Sequence, residues 1–341
     1  MLRFPDRELS RHHPDRAALV AVAKRLDVPV GRIALCGSMS EYTDDALALR
    51  PVVRDAPRQQ ALTERRLLPR LPAFRALLLR LRAEVDPALR RLRPTLNGAP
   101  YPLGQCLEIT EAVQARLENL EPADLCEAEA EALTTLRAFQ ADGGEVRRAW
   151  GDLRGQYFQN ALIVGTLYVD VSNDTVVATK PPVEILPLAE AGFSPIADYM
   201  HFARIAGRYW RWRFLPNHLL PELAPYAPLI QIAPGGRLRL GPLEPYMLGL
   251  ALTGGFAASE QALRGPPLPA GTFDGLAAAM QGAPVSIAAT AEQGRAAALA
   301  LCRTWRAGGR VGCAASFNRA MLAAHQVNKH LARTIAVAKA A

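Results

Sequence analysis

Two stretches of the chain place chemically capable side chains where backbone geometry would help them. In PLGQCLEITEAVQARL (residues 102–117), Cys106 follows a Pro/Gly turn and opens an amphipathic helix. The free N–H groups and partial positive charge of a helix N-terminus stabilise a thiolate. Cys106 is therefore the candidate nucleophile and is expected to alkylate fastest of the five thiols. In QNALIVGTLYVDVSND (residues 159–174), a strand, a turn at Gly165 and a second strand follow one another. Asn160 falls early in the first strand and Asp170 in the second, and side chains at like phase on paired strands converge on one face. Cys106 is expected within reach of this strand pair. A plainer reading stays open beside this one. Cys106 can be a small buried core residue, and Asp170, Asn173 and Asp174 can simply end a strand and begin a turn.

Taken together, the two segments resemble the papain-like and transglutaminase-like core, over about residues 101–175. In that family a cysteine opens a helix, and later strands bring a histidine and then an aspartate or asparagine. The resemblance implies that Cys106 is the nucleophile and Asp170 the orienting carboxylate. Asn160 stands where the family has its histidine. An amide cannot serve as a general base, although it can donate a hydrogen bond to a developing oxyanion. His201 is the nominal base, because a triad is defined by geometry and not by order. The implied function is cysteine-dependent acyl transfer or amide modification. Its rivals are a non-catalytic binding protein retaining that fold, and a binder of nucleic acid or another anionic surface through residues 54–93 and 301–341.

Other constellations are bland. The six histidines are scattered without HExxH or HxH spacing, and the cysteines form no CxxC pair. No metal site and no cofactor is expected. His218 and Glu222 are separated by Pro221, which breaks a shared helical face. An odd, sparse set of cysteines suits a reducing, cytoplasmic setting without a disulfide framework. The first residues are charged and carry no apolar leader, and no apolar run is long enough to span a membrane. The expected partner is a small-molecule or peptide substrate, with neither nucleic acid nor membrane.

Charge is unevenly spread. Residues 54–93 carry a net +7, residues 105–150 a net −6, and residues 301–341 hold seven basic side chains and no acid. Sequence neighbours are usually spatial neighbours, so the basic segment is expected to pack against the acidic one. Periodicity and turn residues predict helices at 15–27, 63–92 (punctuated by Pro69, Pro72 and Pro87), 105–120, 124–141 and 196–207. A short strand and turn is expected over 28–40, and strands in YFQNALIVG, TLYVDVS and the segment that follows. RYWRWRF (208–214) combines rings and guanidinium groups as single-strand nucleic-acid binders do, but it alternates like a strand, and a half-buried face of rings with an outer face of arginines is the preferred reading. LIQIAPGGRLRLGPL forms a hairpin. Near the end, PVSIAAT and RVGCAAS read as strands around a helix opened by Thr290 and Gln293. The fold class is α+β, with a basic helical N-terminal region (1–100), an α+β core with an antiparallel sheet (101–245) and a helix-rich C-terminal region (246–341).

Overall fold

The computed structural model describes residues 39–340; the helix expected at 15–27 and most of the strand and turn at 28–40 lie outside them. The fold is α+β. Two compact units form. Pro51–Trp150 and Gln159–Phe193 make the first; the segment ending at Arg50, Gly151–Phe158 and Ser194 onward make the second. The units thus interleave along the chain, where the sequence reading draws three consecutive blocks.

Helix α1 (Met39–Leu47) belongs to the second unit. In the first unit, α2 (Ala56–Leu62) leads through a π turn (Thr63–Leu67) and a 3-10 turn (Leu68–Arg70) into α3 (Leu71–Leu92). Pro69 and Pro72 sit in first turns, where the missing N–H has no intrahelical partner to lose. Pro87 lies inside α3 without ending it. A small ladder, β1 (Thr95–Leu96) with β2 (Ala99–Pro100), precedes α4 (Cys106–Glu118) and α5 (Glu127–Ala141). Phe74, Leu77, Leu78, Leu81, Val85 and Leu89 recur at helical spacing on α3 and are buried. They share one core with Ile109 and Val113 of α4 and Leu136 and Phe139 of α5.

The sheet takes the order β6-β5-β4-β3-β7, built from β3 (Val146–Leu153), β4 (Tyr157–Val164), β5 (Leu167–Asp170), β6 (Glu184–Pro187) and β7 (Phe193–Ser194), with α6 (Leu188–Ala191) between the last two. β4 and β5 are antiparallel, with Leu162 opposite Val169 and Val164 opposite Leu167. Their turn needs Gly165: φ is +61°, and a Cβ there would lie 2.2 Å from Thr63 Oγ1.

The expected packing of basic on acidic segments is present. Asp142 accepts from Arg65 and Arg66 at 3.0 and 2.8 Å, and Arg70 meets Glu131 at 2.7 Å. Arg80 reaches Glu129 at 2.7 Å and Arg93 reaches Glu108 at 2.6 Å. Arg82 of α3 lies in the core and not along the helix edge. It is 2 % exposed, because it falls on the same helical face as Leu78, Val85 and Leu89. Its guanidinium donates to both carboxylate oxygens of Asp174 at 2.8 and 3.0 Å, to Asp86 at 2.6 Å and to the Val171 carbonyl at 2.9 Å.

In the second unit, α7 (Tyr199–Tyr209) is N-capped by Asp198, whose carboxylate accepts from His201 N. A three-stranded antiparallel sheet follows in the order β10-β9-β8, from β8 (Arg213–Pro216), β9 (Leu229–Ile232) and β10 (Leu238–Gly241), and it contains the expected hairpin. The run 208–214 is not one strand. α7 continues to Tyr209, Arg211 turns left-handed (φ 59°), and extended backbone begins only at Arg213. Beyond β10 the described residues contain no strand: PVSIAAT is irregular, and RVGCAAS holds a 3-10 turn (Arg310–Gly312) and a helix start. The remainder is helical: α8 (Pro245–Thr253), α9 (Ala257–Leu263), α10 (Ala270–Met280), α11 (Ala291–Ala307) and α12 (Ala314–Ala340). Thr290 caps α11 by accepting from Gln293 N at 3.2 Å. No helix among the described residues is long and apolar enough to cross a membrane.

Glu260 of α9 is 6 % exposed at its side chain and pairs with Arg264 (3.1 Å), Arg303 (3.0 Å) and Arg306 (2.8 Å). Burial pushes its carboxyl up, but the three guanidinium partners prevail and hold it at about 2, below the ordinary 4.5. A depressed carboxyl contributes stability that is present above its unfolded pKa and is lost as pH falls through the folded one. Urea unfolding of the wild type is therefore expected to weaken on acidification from about pH 4.5 towards 2 more than that of Glu260→Gln. Equal pH slopes would show that these pairs add nothing.

Candidate functional site

The turn before α4 is fixed from outside itself. Gly104, at φ +76°, donates its N–H to the Thr175 carbonyl at 2.9 Å, and the Gln105 side-chain amide donates to the Arg93 carbonyl at 3.1 Å. The chain then enters α4 with Cys106 as its first residue, as expected. Cys106 is buried, and burial pushes its thiol up to about 11. The Asn160 hydrogen bond opposes that shift, while the negative charges of Asp170 and Glu108 add to it. A helix N-terminus favours a thiolate, yet removal from water outweighs it here.

Cys106 and Asn160 do meet. Asn160 Nδ2 donates to Cys106 Sγ at 3.5 Å, a long bond to a weak acceptor. Asp170 does not join them in a relay. In the β4–β5 register it falls in phase with Gln159 and Ala161, and Asn160 falls in the opposite phase. The expected like-phase convergence of Asn160 and Asp170 is thus replaced by a neighbour one residue away.

Asp170 is fully buried and accepts four hydrogen bonds. Gln159 Nε2 and Tyr168 Oη donate to its Oδ2 at 2.6 and 2.8 Å. Ser172 N and Ser172 Oγ donate to its Oδ1 at 2.7 and 2.9 Å. Burial raises its pKa against these donors, which favour the ionised form. Thr110 Oγ1 of α4 completes the layer, donating to the Asn160 carbonyl at 3.1 Å and lying 3.3 Å from Ser172 Oγ.

His201 belongs to the second unit. Its Nδ1 accepts from Ala197 N at 3.2 Å, and its Nε2 lies 2.9 Å from Asp152 Oδ2. With Nδ1 accepting, the proton sits on Nε2 and is donated to the carboxylate. Both ring nitrogens are thereby engaged. His218, also in the second unit, is fully buried with Nε2 against the Leu263 carbonyl at 3.1 Å, and burial lowers its pKa. Among the described residues no three His, Cys, Asp or Glu side chains are grouped to hold a metal ion.

Sequence reading missed Gln159, Tyr168 and Ser172. A two-residue turn at Gly165–Thr166 sets Val164 opposite Leu167, and counting back by twos places Gln159 with Asp170; that signal was available. Arg82 and Asp174, which hold the 171–175 segment, are far apart in sequence and gave none.

Comparison of the chain with profiles of known protein families, with curated proteins and with solved structures finds no match in any of the three.

The thiols rank differently from the order expected from sequence. Burial raises Cys106 and pushes Cys302 up to about 12. Cys313 is half-exposed, and hydrogen bonds from Ser316 lower its pKa. Mass-spectrometric mapping of iodoacetamide labelling near neutral pH should find Cys313 modified well before Cys106, because the thiolate is the reactive form. Faster labelling of Cys106 would contradict its burial.

Proposed function

We propose that this chain is a non-catalytic binding protein on a cysteine-core scaffold like that of the transglutaminase-like enzymes, with the Cys106 cluster serving as a polar core. One observation carries the reading: the side chain that meets Cys106 Sγ is the amide of Asn160, at 3.5 Å. An amide N–H donates to sulfur and takes no proton from it, so the thiol keeps its proton at neutral pH. The surroundings support this. Asp170 spends its acceptor capacity on Gln159, Tyr168 and Ser172 and orients no base. The small-molecule or peptide partner expected for the scaffold remains the partner class for this reading.

The rival, cysteine-dependent acyl transfer, makes a distinct forecast. With an activated ester such as p-nitrophenyl acetate, an acyl-enzyme nucleophile gives a burst of p-nitrophenol and an adduct on Cys106. The wild type is expected to match Cys106→Ala in rate, with no acetyl group on residue 106 by peptide mapping. A stoichiometric burst that disappears in Cys106→Ala would establish the enzyme reading. Cys106→Ala should lower stability by about 0.5–3 kcal/mol, the usual range for a core substitution.

A further inference from the structure

The second unit gathers rings and guanidinium groups at one place. Trp210 is 39 % exposed although it is one of the largest apolar side chains. Its ring lies 4.7 Å from Phe158 and 6.0 Å from Phe202, which back it, and 5.8 Å from the half-buried Trp212 beside it. Tyr209 and Tyr157, also half-buried, extend the row with centroids 5.4 Å apart. Trp210 is thus backed by two buried rings and still exposed.

Positive charge flanks the row. Arg204, Arg208, Arg211 and Arg213 are exposed, and residues 201–221 contain no acid. The nearby carboxylates are occupied: Asp152 faces His201 and the Gly155 N–H, and Asp198 caps α7. Arg208 donates to the Gly155 carbonyl at 2.8 Å, fixing the β3–β4 turn to α7. That turn adds a further exposed guanidinium, Arg154.

Backbone conformation marks the same place. Arg154 and Arg211 have φ of 58° and 59°. An L side chain in the left-handed region is strained relative to Gly or Asn. Two arginines held in that conformation within one patch put charge where a strain-free sequence would place a small residue, and such outliers gather at functional sites.

We infer that this surface binds single-stranded nucleic acid, with bases stacked on Trp210 and Trp212 and phosphates paired with the flanking arginines. Every base has a face that an indole can stack on, and guanidinium groups pair with phosphate oxygens in bidentate fashion. A duplex hides its base faces, so an exposed indole flanked by half-buried rings favours unpaired strands. The site shares no residue with the Cys106 cluster and does not rest on the function proposed for it.

The test is a fluorescence titration of the full chain with dT12 and U12, with a 12-base-pair duplex and poly-Glu as competitors. Single strands should quench tryptophan emission, and their affinity should fall with salt with a log–log slope of about −3 for four phosphate contacts. Trp210→Ala and Trp212→Ala should each weaken binding about tenfold. Arg211→Gln with Arg213→Gln, which alters only exposed side chains, should weaken it and flatten the salt slope. Arg91→Glu, on an exposed face of the first unit, should leave it unchanged. No binding at low salt, equal affinity for duplex or poly-Glu, or full affinity in the Arg211/Arg213 variant would each overturn the inference.

Discussion

The first unit depends on one buried guanidinium. Arg82 spans Asp174, Asp86 and the Val171 carbonyl. Burial alone lowers its pKa, but the hydrogen bonds to Asp174 and Asp86 carry it above its ordinary value. The segment it anchors, 171–175, then sets everything around Cys106. Ser172 supplies two of the four donors to Asp170, and the Thr175 carbonyl receives Gly104 N in the turn that starts α4. Tyr101, in that same turn, donates to Asp86 at 2.6 Å. One charged side chain thus links α3, the entry to α4 and the end of β5. A buried pair broken on one side costs about 3–5 kcal/mol, because the remaining charge is left without compensation.

That dependence bears on the proposal that Cys106 is not a nucleophile. The scaffold elements are those expected: a cysteine at a helix start and two later antiparallel strands. The polar groups between them bond mostly to one another, although Gln159 Oε1 and Asn173 Oδ1 are buried without a partner. A nucleophile needs a proton acceptor and some access to water, and Cys106 has an amide donor and burial. The hydrogen bonds to Asp170 tie β4, β5 and the segment after it together, which fits the proposed non-catalytic role.

Much of the fold was legible in the sequence. The helices at 106–118, 127–141, 199–209 and 291–307, the hairpin at 229–241 and the pairing of basic with acidic segments all rest on local periodicity, turn residues or charge. Three features were not. β3 lies in EVRRAWGDL, which has neither alternation nor an apolar run. The alternation in RYWRWRF is too short to separate a strand from a helix end followed by a left-handed residue. PVSIAAT and RVGCAAS are short apolar runs that find no strand to pair with. At the site, Cys106 and Asn160 were correctly brought together, and the phase of Asp170 was misjudged by one residue. In a period of two, that error moves a side chain to the other face of the sheet.

The central claim is that Arg82, through Asp174 and its segment, keeps the Cys106 cluster closed. It is tested most directly by the iodoacetamide labelling rate of Cys106 in Asp174→Ala, with Cys302 of the second unit as a reporter of global unfolding. Loss of the carboxylate should loosen residues 171–175 and raise Cys106 labelling by at least about tenfold, while Cys302 stays protected. An unchanged Cys106 rate, with stability also unchanged, would show that the cluster closes without the ion pair.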